Sequence, residues 1–209
     1  MQRTLACLTA LSACHDGGME GIEVSAGRLL VSSPMLGDPN FARSIVLLLN
    51  ADDDGCLGVI LNRPSTMPVG EVLAPWAGIV RGPGVLFRGG PVETDAALAV
   101  ARIDGPGDDL VGWRPLFDHT GLVTGLVDLD TPVELVEGGL ADMRIYAGYA
   151  GWSAGQLEAE IDSGAWIVVP AEAGDLFAPE PERLWGQVLR RQPGEVALLA
   201  TMPADPTHN

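Results

Sequence analysis

The chain of 209 residues carries 28 acidic side chains against 12 basic ones, a formal charge of −16. A field of that sign repels phosphate backbones and anionic lipid and disfavours non-specific nucleic-acid binding, while a 47% hydrophobic share excludes a disordered polar chain. The length suits a single domain that buries roughly 70% of its unfolded surface.

Residues 1–18 read apart from the rest. Arg3, a mostly apolar run and then Leu11-Ser12-Ala13-Cys14 resemble a lipoprotein signal with its lipid-accepting cysteine. The charged region has one arginine and the run is short, whereas Met19 opens a sequence that needs nothing before it. The expectation is a non-native or signal-like extension over 1–18, translation beginning at Met19, and one domain over 19–209, with no membrane association unless Cys14 is lipidated. No other segment reaches the 18 or so consecutive apolar residues of a membrane helix.

From Gly27 onward, short apolar runs alternate with turn signals. Strands are predicted at Leu29–Val31, Ser44–Asn50 and Gly58–Leu61, the last two joined through Asp52-Asp53-Asp54-Gly55, a hairpin signal. That acidic connection lacks the further oxygen ligands and the bidentate Glu of a calcium loop. Thr66 with Pro68 predicts a short helix that stops before Pro75. Strands follow at Val85–Phe87, Ala97–Ile103 and Gly121–Val127, with loop over 105–109. Thr131-Pro132-Val133-Glu134 reads as a capping box opening a helix that ends near Gly138-Gly139, ahead of a strand at Met143–Tyr149.

Ser153-Ala154-Gly155-Gln156 is a second capping box, Leu157 and Ile161 share a helical face, Gly164 takes the left-handed C-cap, and Ala165–Val169 is a buried strand. Trp152 and Trp166 would anchor this helix to the sheet at its two ends. A last helix, Pro181 to Arg190 with Leu184, Trp185 and Val188 inward, precedes a strand near Val196–Leu199. Consecutive strands with interspersed helices and no Gly-rich phosphate loop fit an α+β domain.

Residues that could carry chemistry are sparse. The cysteines at 7, 14 and 56 lack metal-ligand spacing, and His15, His119 and His208 are scattered, so neither a metal nor a cofactor is predicted. Glu158 and Glu160 are two apart and do not share a helical face, which makes them a poor acid/base pair. Arg183, Arg190 and Arg191 are the best candidate for a basic patch, although arginines near a helix C-terminus ordinarily complement its dipole.

Five stretches in order carry a resemblance: GRLLVSSPMLGDPNFARSIVLLLN (27–50), GCLGVILNRP (55–64), FRGGPV (87–92), RIYAGYAGWSAGQLEAEIDSGAW (144–166) and LWGQVLRR (184–191). Together they resemble the YqgE/AlgH family of bacterial proteins over nearly everything from Gly27 to Leu199. The resemblance implies a single α+β domain, a split sheet rolled into a partial barrel with flanking helices. It implies no biochemical activity; some members are labelled transcriptional regulators, yet this chain has no helix-turn-helix signature and a charge of −16. Many members have a histidine shortly after the GGPV motif, where this chain has the apolar run Ala96–Ala101.

The functional expectation is a cytoplasmic, non-catalytic binding or regulatory protein with a protein partner or small ligand and no direct DNA binding. Its candidate surface is Phe41, Arg43, Asn62, Arg63, Gly89, Gly90, Pro91, Tyr149, Trp152 and Gln156. Each also has a purely structural reading: Asn62 closing a turn, Gly89 and Gly90 supplying positive φ, Arg43 pairing with a strand-end acid. The alternative is a hydrolase-like enzyme using Asp118 and His119 with Arg43 or Arg63, without any known catalytic motif to support it.

Overall fold

The segment Ile45–Asp52 (β2) is apolar along both faces because both faces are covered. Ile45, Leu47 and Leu49 pack into one buried cluster, and Val46 and Leu48 pack into another, the period-2 alternation of a strand between two layers. The same division runs through Arg28–Ser32 (β1), where Leu29 and Val31 face one way and Leu30 the other. It continues in Gly55–Ile60 (β3), with Val59 against Cys56 and Ile60. These contacts come from a computed structural model that describes residues 24–104, 110–119 and 122–203.

The remaining strands are Pro64–Pro68 (β4), Val85–Arg88 (β5), Val92–Asp104 (β6), Trp113–His119 (β7), Leu122–Val127 (β8), Leu140–Ser153 (β9) and Trp166–Pro170 (β10); the helices are Val69–Val72 (α1), Gln156–Asp162 (α2) and Leu184–Arg190 (α3). The main sheet path is β10-β1-β2-β3-β9-β6-β8-β7, antiparallel throughout, with β4 and β5 branching from it. The sheet curls into a half-barrel. Its concave face holds Leu29, Leu47, Val100, Leu126 and Tyr146 and is filled by Leu184, Trp185, Val188 and Leu189 of α3 together with Leu176 and Phe177. One convex face is covered by Leu157 of α2 and by Phe41; the other, formed by Ala99, Ala101, Val127, Met143 and Ile145, is covered by Val69, Trp76 and Val136.

The predicted hairpin at 52–55 is present, with Asp52 opposite Gly55, and the strands predicted between Leu29 and Val169 and the α2 and α3 helices are found. Four segments depart from the sequence reading. Thr66 lies in β4 rather than capping a helix, and Pro68 is itself the N-cap of a single turn. Residues 133–139 form two 3-10 turns, because Pro132 is extended (φ −54, ψ 128) and no side chain caps the turn. The strand β7 was hidden by Pro115, which an edge strand tolerates; among the described residues β7 pairs with β8 alone. Gly194–Thr201 is a 3-10 helix, not a strand, with Val196 and Leu199 packed against the concave core. The extension at 1–18 and the loop 105–109 lie outside the described residues.

Arg144 of β9 is 1% exposed and ties the concave filling to the sheet. Its guanidinium donates to the carbonyl oxygens of Leu176 (3.3 Å), Gly82 (3.1 Å) and Ala178 and covers the Phe87 ring at 4.6 Å. Burial lowers its pKa, partly offset by the neighbouring Tyr146 phenol. Burial in turn pushes the Tyr146 phenol up to about 12, with Arg144 pulling the other way. Because the folded-state value exceeds the ordinary one, this group's contribution is intact below about pH 10 and is lost as pH rises toward 12, by roughly 3 kcal/mol in all. Denaturant midpoints measured from pH 8 to 11.5 should fall above pH 10 in the wild type, and less steeply in Tyr146→Phe.

Candidate functional site

Ten residues were singled out on sequence grounds, and the fold joins them through one run of contacts. It starts at the loop 38–44, which leads into β2. Asn62 is 9% exposed; its Oδ1 accepts the Ile45 N–H at 2.9 Å and its Nδ2 donates to the Arg43 carbonyl at 2.8 Å. Arg63 donates to the carbonyls of Ala42 (2.7 Å) and Pro39 (3.3 Å). The loop is therefore held by two adjacent side chains from the link between β3 and β4. Arg43 sits in the left-handed region at φ 53, a costly place for a residue with a side chain. Its carbonyl is held by Asn62 while its guanidinium lies 4.5 Å over the Trp185 ring and donates to the Met202 carbonyl. Arg43 thus pairs with an aromatic ring and a carbonyl, not with the strand-end acid expected for it.

The Gly89-Gly90 step follows. Gly89 accepts the Ile60 N–H and donates to the Ala147 carbonyl, both at 2.8 Å, and the Arg88 N–H donates to the Arg63 carbonyl at 2.8 Å. A Cβ on Gly89 would meet the Gly148 carbonyl oxygen at 2.1 Å, and one on Gly90 would meet the Tyr149 carbonyl carbon at 2.1 Å. Neither glycine has positive φ. They are required by close backbone approach to β9, which corrects the conformational role read from sequence.

Phe41 stacks on Trp152 with centroids 6.1 Å apart and meets Trp166 edge-on at 5.4 Å; the two indoles meet edge-on at 5.8 Å. Both indole N–H groups donate to one oxygen of Glu160, at 2.9 and 2.8 Å, while its other oxygen accepts from Gln156 at 2.9 Å. Glu160 is the residue that sequence reasoning missed. Its signal was the spacing i, i+4 from Gln156 on a helix bracketed by two tryptophans. The capping box is also rearranged: Gly155 at φ 73 is the N-cap, and Gln156 Oε1 accepts from both the N–H and the hydroxyl of Ser153 at 3.1 Å. Gly164 takes the left-handed cap as predicted (φ 76).

Asn62, Gly89 and Trp152 are buried; Phe41, Arg43, Arg63, Gly90 and Tyr149 are half-buried; Pro91 and Gln156 are exposed. Arg88, overlooked in the sequence, is exposed beside Arg63. Burial first, and then the charge of Arg88, lowers the Arg63 pKa, against a smaller pull from Asp38. Among the described residues no carboxylate forms an ion pair with Arg43, Arg63 or Arg88. Asp118 is exposed on β7 and the side chain of His119 lies outside the described residues, so the geometry carries no Asp-His relay. No group of His, Cys, Asp and Glu among the described residues could hold a metal, and burial pushes the Cys56 thiol up to about 11, leaving it un-ionised.

Residues 29–197 match the AlgH-like family. The chain belongs to that family. Among AlgH-like relatives, a UPF0301 protein of Thermobifida fusca is 55% identical over 88% of this chain and 94% of its own, and one of Streptomyces coelicolor is 50% identical over 92% and 99%. The crystal structure of protein DIP2367 from Corynebacterium diphtheriae superposes with a TM-score of 0.78 at 33% identity, covering 88% of this chain and 95% of that one. The solution structure of AlgH from Pseudomonas aeruginosa superposes at 0.62 with 26% identity, covering 91% and 98%. The half-barrel is thus the AlgH-like fold. Where the family resemblance places a histidine after GGPV, this chain has β6, with Ala99, Val100 and Ala101 buried.

The AlgH-like site makes separable predictions about stability. Glu160→Ala orphans two indole donors and should cost about 2–4 kcal/mol, and Trp152→Ala about 3–5 kcal/mol. Ser153→Ala should stay within about 0.5 kcal/mol, since its hydroxyl caps no helix amide. Gly89→Ala, which drives a methyl into the Gly148 carbonyl, should lower the melting temperature more than Ser153→Ala does. Thermal melts of the four variants check the order.

Proposed function

We propose that this AlgH-like protein is a non-catalytic, cytoplasmic binding or regulatory protein whose partner engages the surface around Arg63 and Arg88. The observation that carries the reading is the pairing of two like charges, without a carboxylate partner, on a chain whose overall charge is −16. Two adjacent guanidiniums that repel each other gain when an anionic or carbonyl-rich group binds between them. Pro91 and Gln156 are exposed as well, and Tyr149 is half-buried. A protein partner with an acidic segment fits this chemistry best. No helix among the described residues is long and apolar enough to cross a membrane.

Arg88→Glu is the discriminating variant, because the Arg88 side chain makes no hydrogen bond or ion pair among the described residues. Its melting temperature should stay within a few degrees of wild type while co-purification of the native partner is lost. Unchanged co-purification would remove the arginine pair from the binding surface. Arg63→Ala is less clean, since it also releases Pro39 and Ala42.

Direct binding to duplex DNA is disfavoured by the summed charge. Gel shifts at low salt should give no complex at micromolar protein. A sub-micromolar complex would show that charge segregation outweighs the net field.

A further inference from the structure

The arginine pair is set by strand register. Pro64 of β4 is opposite Phe87 of β5, so the next pair outward is Arg63 and Arg88, joined by the Arg88 N–H donating to the Arg63 carbonyl at 2.8 Å. Residues directly opposite in an antiparallel pair project their side chains from one face, with Cβ atoms about 5 Å apart, and like charges there are destabilising. A cross-strand acid is the ordinary remedy. The sheet supplies none: Ala147 is beside Arg88 on β9, and Ala97 is beside Ala147 on β6.

The two side chains are prepared differently. Arg63 is half-buried, and its guanidinium is fixed by the Ala42 carbonyl at 2.7 Å and the Pro39 carbonyl at 3.3 Å. Those bonds leave part of its donor fork unused. Arg88 is exposed, and its side chain has no hydrogen bond or ion pair among the described residues. Asp38 acts on Arg63 without pairing with it, as the smallest of the influences on its pKa, and its Oδ1 accepts the Asn40 N–H at 2.8 Å.

On the reading that a partner engages this surface, we propose that Arg63 and Arg88 together bind one phosphomonoester dianion. A carboxylate is satisfied by one guanidinium fork, whereas a phosphomonoester presents three terminal oxygens and about two charges on a single centre. It therefore bridges both guanidiniums and removes their repulsion in one contact. The fixed Arg63 orients the group, and Arg88 closes on it from the open side. The phosphodiesters of duplex DNA each carry a single charge and gain less, in keeping with the net charge of −16.

Phenyl phosphate is the probe, with phenyl sulfate as a monoanion of the same shape. Titrated into the 15N-labelled full-length protein at low salt and about pH 7.5, where the phosphate is largely dianionic, it should move the Arg88, Gly89 and Gly90 amide resonances saturably. Calorimetry should give it an affinity about fivefold or more above that of phenyl sulfate. Arg88→Met should weaken phenyl phosphate about tenfold or more, as expected for the loss of a charge-assisted hydrogen bond. The same variant should melt no lower than the wild type, because it relieves a like-charge contact. Phosphatase treatment of the captured native complex then locates the phosphate. Release of the partner places it on the partner, and retention alongside phenyl phosphate binding assigns the site to a small phosphorylated molecule. Shifts that do not saturate, equal affinity for the two probes, or unchanged binding by Arg88→Met overturn the phosphate site. Should they do so while Arg88→Glu still loses the native partner, the arginine surface stands and only the phosphate falls. Should phenyl phosphate bind while Arg88→Glu keeps the partner, the phosphate site stands and the partner binds elsewhere.

Discussion

Strand β9 shares its backbone with three partners, and the switch between them is what the rest of the structure is arranged around. Toward its start it pairs in parallel with β5, Phe87 opposite Tyr146, and antiparallel with β6, Ala99 opposite Ile145. Beyond Gly148 the edge taken by β5 passes to β3, with Gly58 opposite Ala150. At the switch Gly89, Gly90 and Gly148 meet backbone to backbone, and a Cβ on any of them would come within 2.8 Å of a neighbouring main-chain atom. The contact allows a single curled sheet where two would otherwise form. It also sets where the loop 38–44 and the β5–β6 turn lie relative to each other.

That constraint explains why so many of the conspicuous residues are structural without being dispensable. Asn62 and Arg63 hold the backbone of the loop that carries Phe41 and Arg43, and Phe41 closes over the Trp152–Trp166 pair. Glu160 links the end of β9, the helix α2 and the start of β10 through three hydrogen bonds. Since β9 and β10 are separated in the sheet by β3, β2 and β1, this single carboxylate fixes a crossover spanning three strands. The residues left accessible at the rim of the framework are Arg88, Pro91 and Gln156, with Arg63 half-buried beside Arg88. A rigid scaffold presenting a few accessible polar groups is the usual division of labour between packing and recognition.

The rim proposed for binding suits a ligand that is recognised by its charge. The arginine pair offers charge to a large anionic surface, where long-range attraction acts through solvent.

By itself the sequence determined the elements whose signals are local. The Asp-rich hairpin, the alternating apolar runs of β1 to β3 and the left-handed Gly164 cap depend on side-chain period and backbone preference within a few residues, and they appear where predicted. Tertiary structure decided what depends on a distant neighbour. The segment 194–201 has strand-like apolar content but meets the concave core and becomes 3-10 helix, whereas 113–119 has a proline and mixed polarity but finds β8 and becomes a strand. The ten surface candidates were recognisable as conspicuous residues, yet whether each is a strut or a contact turned on burial. Arg88 was silent in the sequence, and Glu160 showed only through its spacing from Gln156, for the same reason: an arginine beside another from a different segment and a carboxylate that serves two indoles are each defined by partners brought from elsewhere in the chain.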